Sequence, residues 1–202
     1  FLVRQGNEGL LKDHPYLHKV LLWVKKENKL RNLWKLLNQI RHTRYDAVIN
    51  VQRFAATGFL TAFSNAQQKI GFDKNPFSFL FNKKIKHVIS TTNLATHEIE
   101  RNHQLIASLT DEFPAKPVLY PSEKDKAAVR HLKNQPYIVV APASVWFTKQ
   151  FPSDKWVHFI NKVPSGIKIY LIGAAGDKEL CNEICNNTTH LYVHNLCGQY
   201  NF

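Results

Sequence analysis

The sequence contains no methionine, and only three of its 202 residues are cysteine. Because translation starts with methionine, we expect the sequence to begin inside a longer protein. Cys181 and Cys185 are four residues apart and Cys197 follows, without the paired spacing of a structural zinc site. We therefore expect three small buried thiols in a reducing cytoplasm rather than a redox pair, with no metal and no cofactor bound.

Long apolar runs are also missing. No stretch approaches the roughly 20 apolar residues that a membrane-spanning helix needs. The first residues lack the basic-then-apolar order of a secretion signal. These absences predict a cytoplasmic protein whose contact with a membrane is at most peripheral.

Acidic residues are scarce: 15 Asp and Glu stand against 27 Lys and Arg, a net charge of +12 with His neutral. Such an excess favours anionic partners, which include nucleic acid, anionic membrane surfaces and phosphorylated substrates. No RNA-binding or zinc-finger motif accompanies the basic residues, so a nucleic-acid partner is not expected.

What the sequence does contain is a repeated alternation of strand-like and helix-like segments. The hydrophobic spacing predicts strands over 19–24, 45–51, 69–72, 137–143, 167–176 and 191–198, and helices over 29–44, 57–66, 95–109, 153–163 and 177–185. Prolines at 114, 117 and 121 interrupt the series. We therefore predict an α/β protein with two doubly wound domains, 1–115 and 137–202, joined by a linker and lead-in over 116–136.

Two segments that follow predicted strands of the second domain are candidate ligand loops, because open parallel sheets bind ligands beyond the carboxyl ends of their strands. The first, 141–156, offers the hydroxyls of Ser144 and Thr148 and the ammonium of Lys149, which suit a phosphate or pyrophosphate. An ordinary polar loop with a solvated lysine is the alternative.

The second loop, 173–179, begins at Gly173 and leads into a helix whose N-terminus favours anions. It is not a P-loop, because Asp177 stands where a lysine would be required. A glycine turn after a parallel strand is common, so this loop alone is weak evidence. In the first domain, Arg53 follows a strand in the equivalent position, where it can meet an anionic acceptor or be a plain surface arginine.

Several segments in order resemble glycosyltransferase family 9. The segment APASVWFTKQFPSDKW is similar to the family's "P-A/G-S/A-x-W-x-x-K-x-W/F-P-x-x-x-W" loop. Further resemblances are carried by YDAVINVQ, QKIGFD, HEIERNHQLIASL, IYLIGAAGDKELCNEI and NLCGQ, which together cover nearly the whole sequence.

The resemblance implies a GT-B fold of two Rossmann-like domains, both incomplete in this chain. It implies that the first domain binds the acceptor and the second binds the nucleotide sugar. The family's best-known members move heptose from ADP-heptose to the lipopolysaccharide inner core, with inversion and without a metal. By position, Lys149 matches the lysine that neutralises the donor pyrophosphate, and Ser144 matches a hydroxyl on the phosphates. The loop of Gly173, Asp177 and Glu179 matches the segment near the nucleotide and its ribose.

Two departures from the family pattern limit the assignment. The family's "G-D" base element is expected before Phe1, and its "D-S-x-x-x-H" loop after Phe202, so no catalytic residue is assigned. Some members carry a lysine where this chain has Ala56, and Arg53 can supply that charge instead. The alternatives are a family 9 transferase with another donor or acceptor, and a non-catalytic α/β module that binds nucleotide or nucleic acid.

Overall fold

The computed structural model describes residues 1–89 and 96–200. The chain divides into two compact units, Phe1–Leu119 and Tyr120–Phe202. The division falls inside the segment 116–136 that the prolines marked, and part of that segment is itself helical.

The first unit contains two parallel sheets with helices following their strands. In the first sheet, β1 (Leu2–Arg4) pairs with β2 (Leu21–Trp23). In the second, the order is β3 (Ala47–Asn50), β4 (Gln68–Phe72) and β5 (Lys83–Ile85). The helices are α1 (Lys29–Thr43), α2 (Ala55–Ala62) and α3 (Glu98–His103), with single 3-10 turns at Glu8–Leu11 and Ser78–Leu80.

The second unit has one three-stranded parallel sheet. Its strands lie in the order β6 (Tyr137–Val140), β7 (Lys168–Leu171) and β8 (Val193–Asn195). Its helices are α4 (Glu123–Val129), α5 (Ser153–Ile160) and α6 (Lys178–Asn187), with 3-10 turns at Arg130–Lys133, Phe147–Lys149 and Ala175–Asp177. The predicted α/β class with parallel strands is therefore confirmed.

The core of each unit explains why its helices form. Leu33, Leu36, Leu37 and Ile40 lie on one side of α1 and are buried with strand residues of the first sheet. This three-to-four spacing is the pattern that predicted the helix, and Arg44, with φ of 52°, ends it one residue early. In the second unit, the equivalent core joins β7 to α5 and α6 and includes Cys181 and Cys197.

The predicted helix 95–109 is shorter in the structure, and Ala95 lies outside the described residues. The helix α3 ends at His103, and the residues after it form tight turns in which Ile106 N donates to His103 O at 2.9 Å. Its N-cap is His97, whose Nδ1 accepts from Ile99 N. Glu100 completes the capping box by accepting from the backbone N of His97 at 2.9 Å.

Candidate functional site

The candidate donor site lies where the three strands of the second unit end. Val140 is in register with Leu171, and Leu171 with Asn195, so the loops after β6, β7 and β8 leave the same edge of the sheet. The backbone fixes these loops to one another, since Ile172 N donates to Val140 O at 2.9 Å and Gly198 N to Gly173 O at 3.0 Å. The structure thus brings the two predicted donor loops to one edge, where a doubly wound sheet binds its ligand.

The loop after β6 is held at both of its ends. Ser144 is half-buried, and its Oγ accepts from Trp146 N at 3.2 Å, which leaves the hydroxyl proton free to donate to a ligand. At the far end, the ring of Phe151 packs edge-on against Trp156 of α5, with centroids 5.0 Å apart. Trp156 in turn packs against the core of the unit. A loop anchored in this way presents its middle residues at a fixed place.

Those middle residues are the predicted phosphate ligands. Thr148 and Lys149 are exposed and belong to a 3-10 turn closed by Lys149 N donating to Trp146 O at 2.9 Å. Within 1–89 and 96–200, the ion pairs join Arg101 to Glu98 and Lys126 to Glu123, so the Lys149 ammonium is not neutralised by a described carboxylate. An exposed cation on an anchored loop is available to an anionic ligand.

The loop after β7 is shaped by Gly173 and Asp177. Asp177 Oδ2 accepts from Ala174 N at 2.8 Å, which closes the turn that leads into α6. A Cβ on Gly173 would lie 2.8 Å from Asp177 Oδ2 and 3.2 Å from Cys197 Sγ, so only glycine fits there without displacement. The structure therefore places Gly173 and Asp177 in positions that define the backbone of the loop.

Glu179, the third predicted residue of this loop, lies in the first turn of α6 and is exposed. Its carboxylate suits the hydroxyls of a ribose, which donate hydrogen bonds, better than it suits a phosphate. The four N-terminal N–H groups of α6 and the helix dipole favour the phosphates instead. The loop thus offers separate chemistry for the sugar and for the phosphates of a nucleotide.

The cysteines lie beneath this loop. Cys181 and Cys197 are buried, with their Sγ atoms 3.0 Å apart, and Cys185 is half-buried. Burial, followed by the hydrogen bond with Cys197, raises the pKa of Cys181, and burial also raises the pKa of Cys185. Both groups are therefore neutral thiols at pH 7 that fill space in the core.

In the first unit, the segment carrying Arg53 is anchored by Asn75. The amide Nδ2 of Asn75 donates to Gln52 O at 3.0 Å and to Phe54 O at 3.1 Å, one residue on each side of Arg53. Asn75 is itself buried, and Gly58 of α2 approaches it so closely that a Cβ there would overlap the Asn75 amide. The position of Arg53 at the end of β3 is therefore fixed by neighbouring packing.

Sequence reasoning missed three residues near Arg53. Asp73 follows β4 and His87 follows β5, and they are linked by the hydrogen bond from His87 N to Asp73 Oδ1 at 2.9 Å. The guanidiniums of Arg53 and Arg101 both act electrostatically on His87. Arg53 and Arg101 supply the positive charge of this group, which we call the cationic cluster of the first unit, and Arg101 is also ion-paired with Glu98. The position of Asp73 directly after the predicted strand 69–72 could have identified it as a candidate. His87 could not be found in this way, because the strand that precedes it, β5, was not predicted.

The pKa of His87 is lowered first by burial and then by Arg53 and Arg101, while its own backbone hydrogen bond and Asp73 oppose the change. The imidazole is therefore neutral at pH 7, and the folded protein takes up this proton at lower pH than the unfolded chain, whose His pKa is about 6.5. We expect His87 to reduce the free energy of unfolding as the pH falls through about 6.5, with the loss complete below the folded pKa.

Urea unfolding at pH 7.5 and 5.5 measures this effect. His87→Asn should lose less stability than the parent protein between the two pH values, since it has no proton to take up. Equal losses in the two proteins would show that the pKa of His87 is not lowered in the folded protein. His158→Asn, on α5, is the control and should behave as the parent protein does.

Two broader searches of the structure concern metals and membranes. Over 1–89 and 96–200, no three His, Cys, Asp or Glu side chains come together in a way that could hold a metal ion. None of the helices in this part of the chain has both the length and the apolar character required to cross a bilayer.

Comparison with known proteins places these features in a family. The family model "Glycosyltransferase family 9 (heptosyltransferase)" matches residues 33–202. No curated protein sequence matches significantly.

Solved structures agree with the family match. The structure of E. coli ADP-heptose lps heptosyltransferase II has a TM-score of 0.78 at 18% identity, covering 99% of this chain and 63% of that one. The structure of a glycosyl transferase of family 9 from Veillonella parvula DSM 2008 has a TM-score of 0.82 at 14% identity, and the match covers 99% of this chain and 60% of that one. The structure of E. coli heptosyltransferase WaaC with ADP has a TM-score of 0.65 at 23% identity, and the match covers 96% of this chain and 64% of that one. The chain spans less than two thirds of the length of each of these proteins.

Proposed function

Because this chain belongs to glycosyltransferase family 9, we propose that it is part of an inverting, metal-independent transferase that moves a heptose from ADP-heptose to the lipopolysaccharide inner core. The observation that carries the proposal is the exposed Lys149 on an anchored loop, beside the glycine loop that leads into α6. The WaaC structure was determined with ADP, which supports the choice of nucleotide.

Lys149 would act on the leaving group. When the acceptor oxygen bonds to the anomeric carbon, the bond from that carbon to the diphosphate oxygen breaks and negative charge grows on the departing ADP. A fixed cation stabilises that charge more in the transition state than in the ground state, which accelerates the reaction. Ser144 and Thr148 would donate hydroxyl hydrogen bonds to the same phosphates, and Glu179 would accept from the ribose.

The cationic cluster of the first unit would bind the acceptor. Arg53 is exposed and its segment is held by Asn75, so its charge is presented at a fixed place. Arginine binds phosphate groups through paired hydrogen bonds, and a phosphorylated sugar core offers such groups. A cytoplasmic protein with this acceptor would work at the anionic inner face of the membrane, without a nucleic-acid partner.

A transfer assay tests the proposal. The full-length protein, of which this chain is proposed to be part, is incubated with a heptose-free lipopolysaccharide core and with ADP-heptose, a UDP-sugar or a GDP-sugar in turn, and the core is analysed by mass spectrometry. Addition of one heptose from ADP-heptose alone is the expected result. Transfer from another donor would replace ADP-heptose in the proposal. Nucleotide binding without any transfer would favour a non-catalytic module.

A further inference from the structure

The first unit carries a partly exposed cluster of aromatic rings that extends outward from the core, against which Phe59 packs, and that the candidate site does not use. It is formed by Trp34 of α1, two residues of α2 and its C-terminus, and two residues of the following 3-10 turn. We call it the aromatic face, and its members are Trp34, Phe59, Phe63, Phe77 and Phe79. Trp34 is 54% exposed and Phe79 72% exposed, so much of this apolar surface meets water. Contiguous exposed apolar surface of this kind marks an interaction site.

The surroundings of the aromatic face carry an excess of positive charge. The segments 28–45, 54–67 and 74–81, which form it and its borders, contain no Asp or Glu. Their basic residues are all exposed, and they are Lys29, Arg31, Lys35, Arg41, Arg44 and Lys74. Arg31 precedes Trp34 by three residues on α1 and Arg41 follows it by seven, so both lie on the same side of the helix as Trp34.

One border of the face is a basic cavity of about 360 Å³ lined by Arg41, Arg44, Tyr45, Asn65 and Gln67. With the Asn65 amide oxygen turned towards it, Arg41 donates to that oxygen at 3.1 Å from Nε and 3.3 Å from Nη2. Arg41 is thus oriented beside the end of α2, two residues beyond Phe63. A phosphate group can enter such a cavity while the neighbouring rings meet an apolar phase.

We propose that the aromatic face is the surface with which this protein docks on an anionic phospholipid membrane. Trp and Phe favour the boundary between headgroups and acyl chains, and the surrounding cations are attracted to anionic lipid. This assignment gives a location to the membrane contact proposed above and rests on it.

Other occupants fit the observations less well. A second copy of the same face would bring like charges together across a two-fold interface. Single-stranded nucleic acid requires open ring faces on which bases stack. Here most ring contacts are edge-on or tilted, with interplanar angles of 78° for Trp34–Phe59 and 75° for Phe63–Phe77, so these rings do not form the row of parallel faces on which successive bases stack.

The test is sedimentation of the protein with vesicles of phosphatidylcholine and phosphatidylglycerol in equal amounts, and with vesicles of phosphatidylcholine alone. We expect binding to the anionic vesicles that decreases with added salt. Trp34→Ala with Phe79→Ala should weaken binding by about tenfold or more, since two apolar side chains no longer leave water. Arg31→Gln with Arg41→Gln should weaken it by about twenty-fivefold, at about fivefold for each cation.

The control is Phe113→Ala with Lys116→Gln, which removes another exposed aromatic and another cation from the first unit. The proposal is overturned if the control weakens vesicle binding as much as the two test variants do, or if the parent protein does not bind anionic vesicles. It is also overturned if the test variants lose binding to an oligonucleotide and keep binding to vesicles. Unchanged thermal melting of each variant ensures that folding is not the cause. The measurement needs neither donor nor acceptor, so its failure is distinct from a failure of the transfer assay.

Discussion

Lys149→Ala is expected to weaken ADP binding by roughly ten- to hundredfold, because a charge-assisted contact to a phosphate contributes about 1.5–3 kcal/mol. The side chain is exposed and makes no ion pair with a described carboxylate, so its removal should leave the fold intact. Isothermal titration calorimetry measures the affinity for ADP. The difference in this affinity between the parent protein and Lys149→Ala should decrease at high salt.

The matched control for this prediction is Lys162→Ala. Lys162 is also exposed. Lys149 lies before the N-terminus of α5, and Lys162 lies after its C-terminus. Its replacement removes one positive charge from the same unit and should change ADP affinity by less than twofold, as expected for a distant surface charge. Equal losses in the two variants would mean that Lys149 contributes only to the general positive potential, and the site assignment would be wrong.

Gly173→Ala is expected to lower the free energy of unfolding by about 1–3 kcal/mol, as overpacking of a tight site does. The added methyl would lie 2.8 Å from Asp177 Oδ2 and 2.9 Å from Asp177 Cβ, and Asp177 cannot withdraw without losing its hydrogen bond to Ala174 N. On the other side it would meet Cys197 Sγ at 3.2 Å. ADP binding should fall as well, since the loop that receives the nucleotide is displaced.

Gly176→Ala, three residues further along the same loop, separates this steric effect from the loss of a glycine as such. A Cβ at Gly176 meets no atom within 4 Å, and the position needs no positive φ. The variant should be as stable as the parent or slightly more stable, because the unfolded chain has fewer conformations to lose. Urea unfolding compares the two, and similar stability of both variants would contradict the packing described around Gly173.

Much of the fold could be predicted because its elements carry strong hydrophobic patterns. The spacing of Leu33, Leu37 and Ile40 identifies α1, and the apolar residues of 137–140 and 168–171 identify β6 and β7. These patterns arise from burial in the hydrophobic cores of the two units, and the burial of apolar surface is the dominant force in folding. The order of elements then implies a parallel sheet, as observed.

The elements that were missed have weak patterns or depend on distant contacts. The strand β5 reads KKI and is recognised only by its pairing with β4. The helix α4 contains six charged or small residues in its seven and is defined by the capping box of Ser122 and Asp125. In the predicted helix 95–109, the end at His103 follows from the burial of Leu105 against Ile70 and Phe72. Tertiary packing of this kind is not visible in local spacing.

The two candidate sites, one in each unit, differed in the same way. Lys149 and Gly173 were identified because strand ends and loop composition are local features. The association of Arg53 with His87 and Arg101 depends on the pairing of β3, β4 and β5 and on a helix that follows much later in the chain. The aromatic face was not predicted either, since Trp34 and Phe79 join one surface only when α1 and the turn Ser78–Leu80 both pack against α2.

The most direct test of the donor site is an amide NMR titration of the isotope-labelled protein with ADP. We expect the amide chemical shifts of residues 141–152 and 172–179 to change most, with the largest changes at Ser144, Lys149 and Gly173. We also expect no comparable change around Arg53, because the cationic cluster of the first unit is assigned to the acceptor. Changes confined to the first unit, or spread evenly over basic surface residues, would contradict the central claim that ADP binds at the edge formed by β6 and β7.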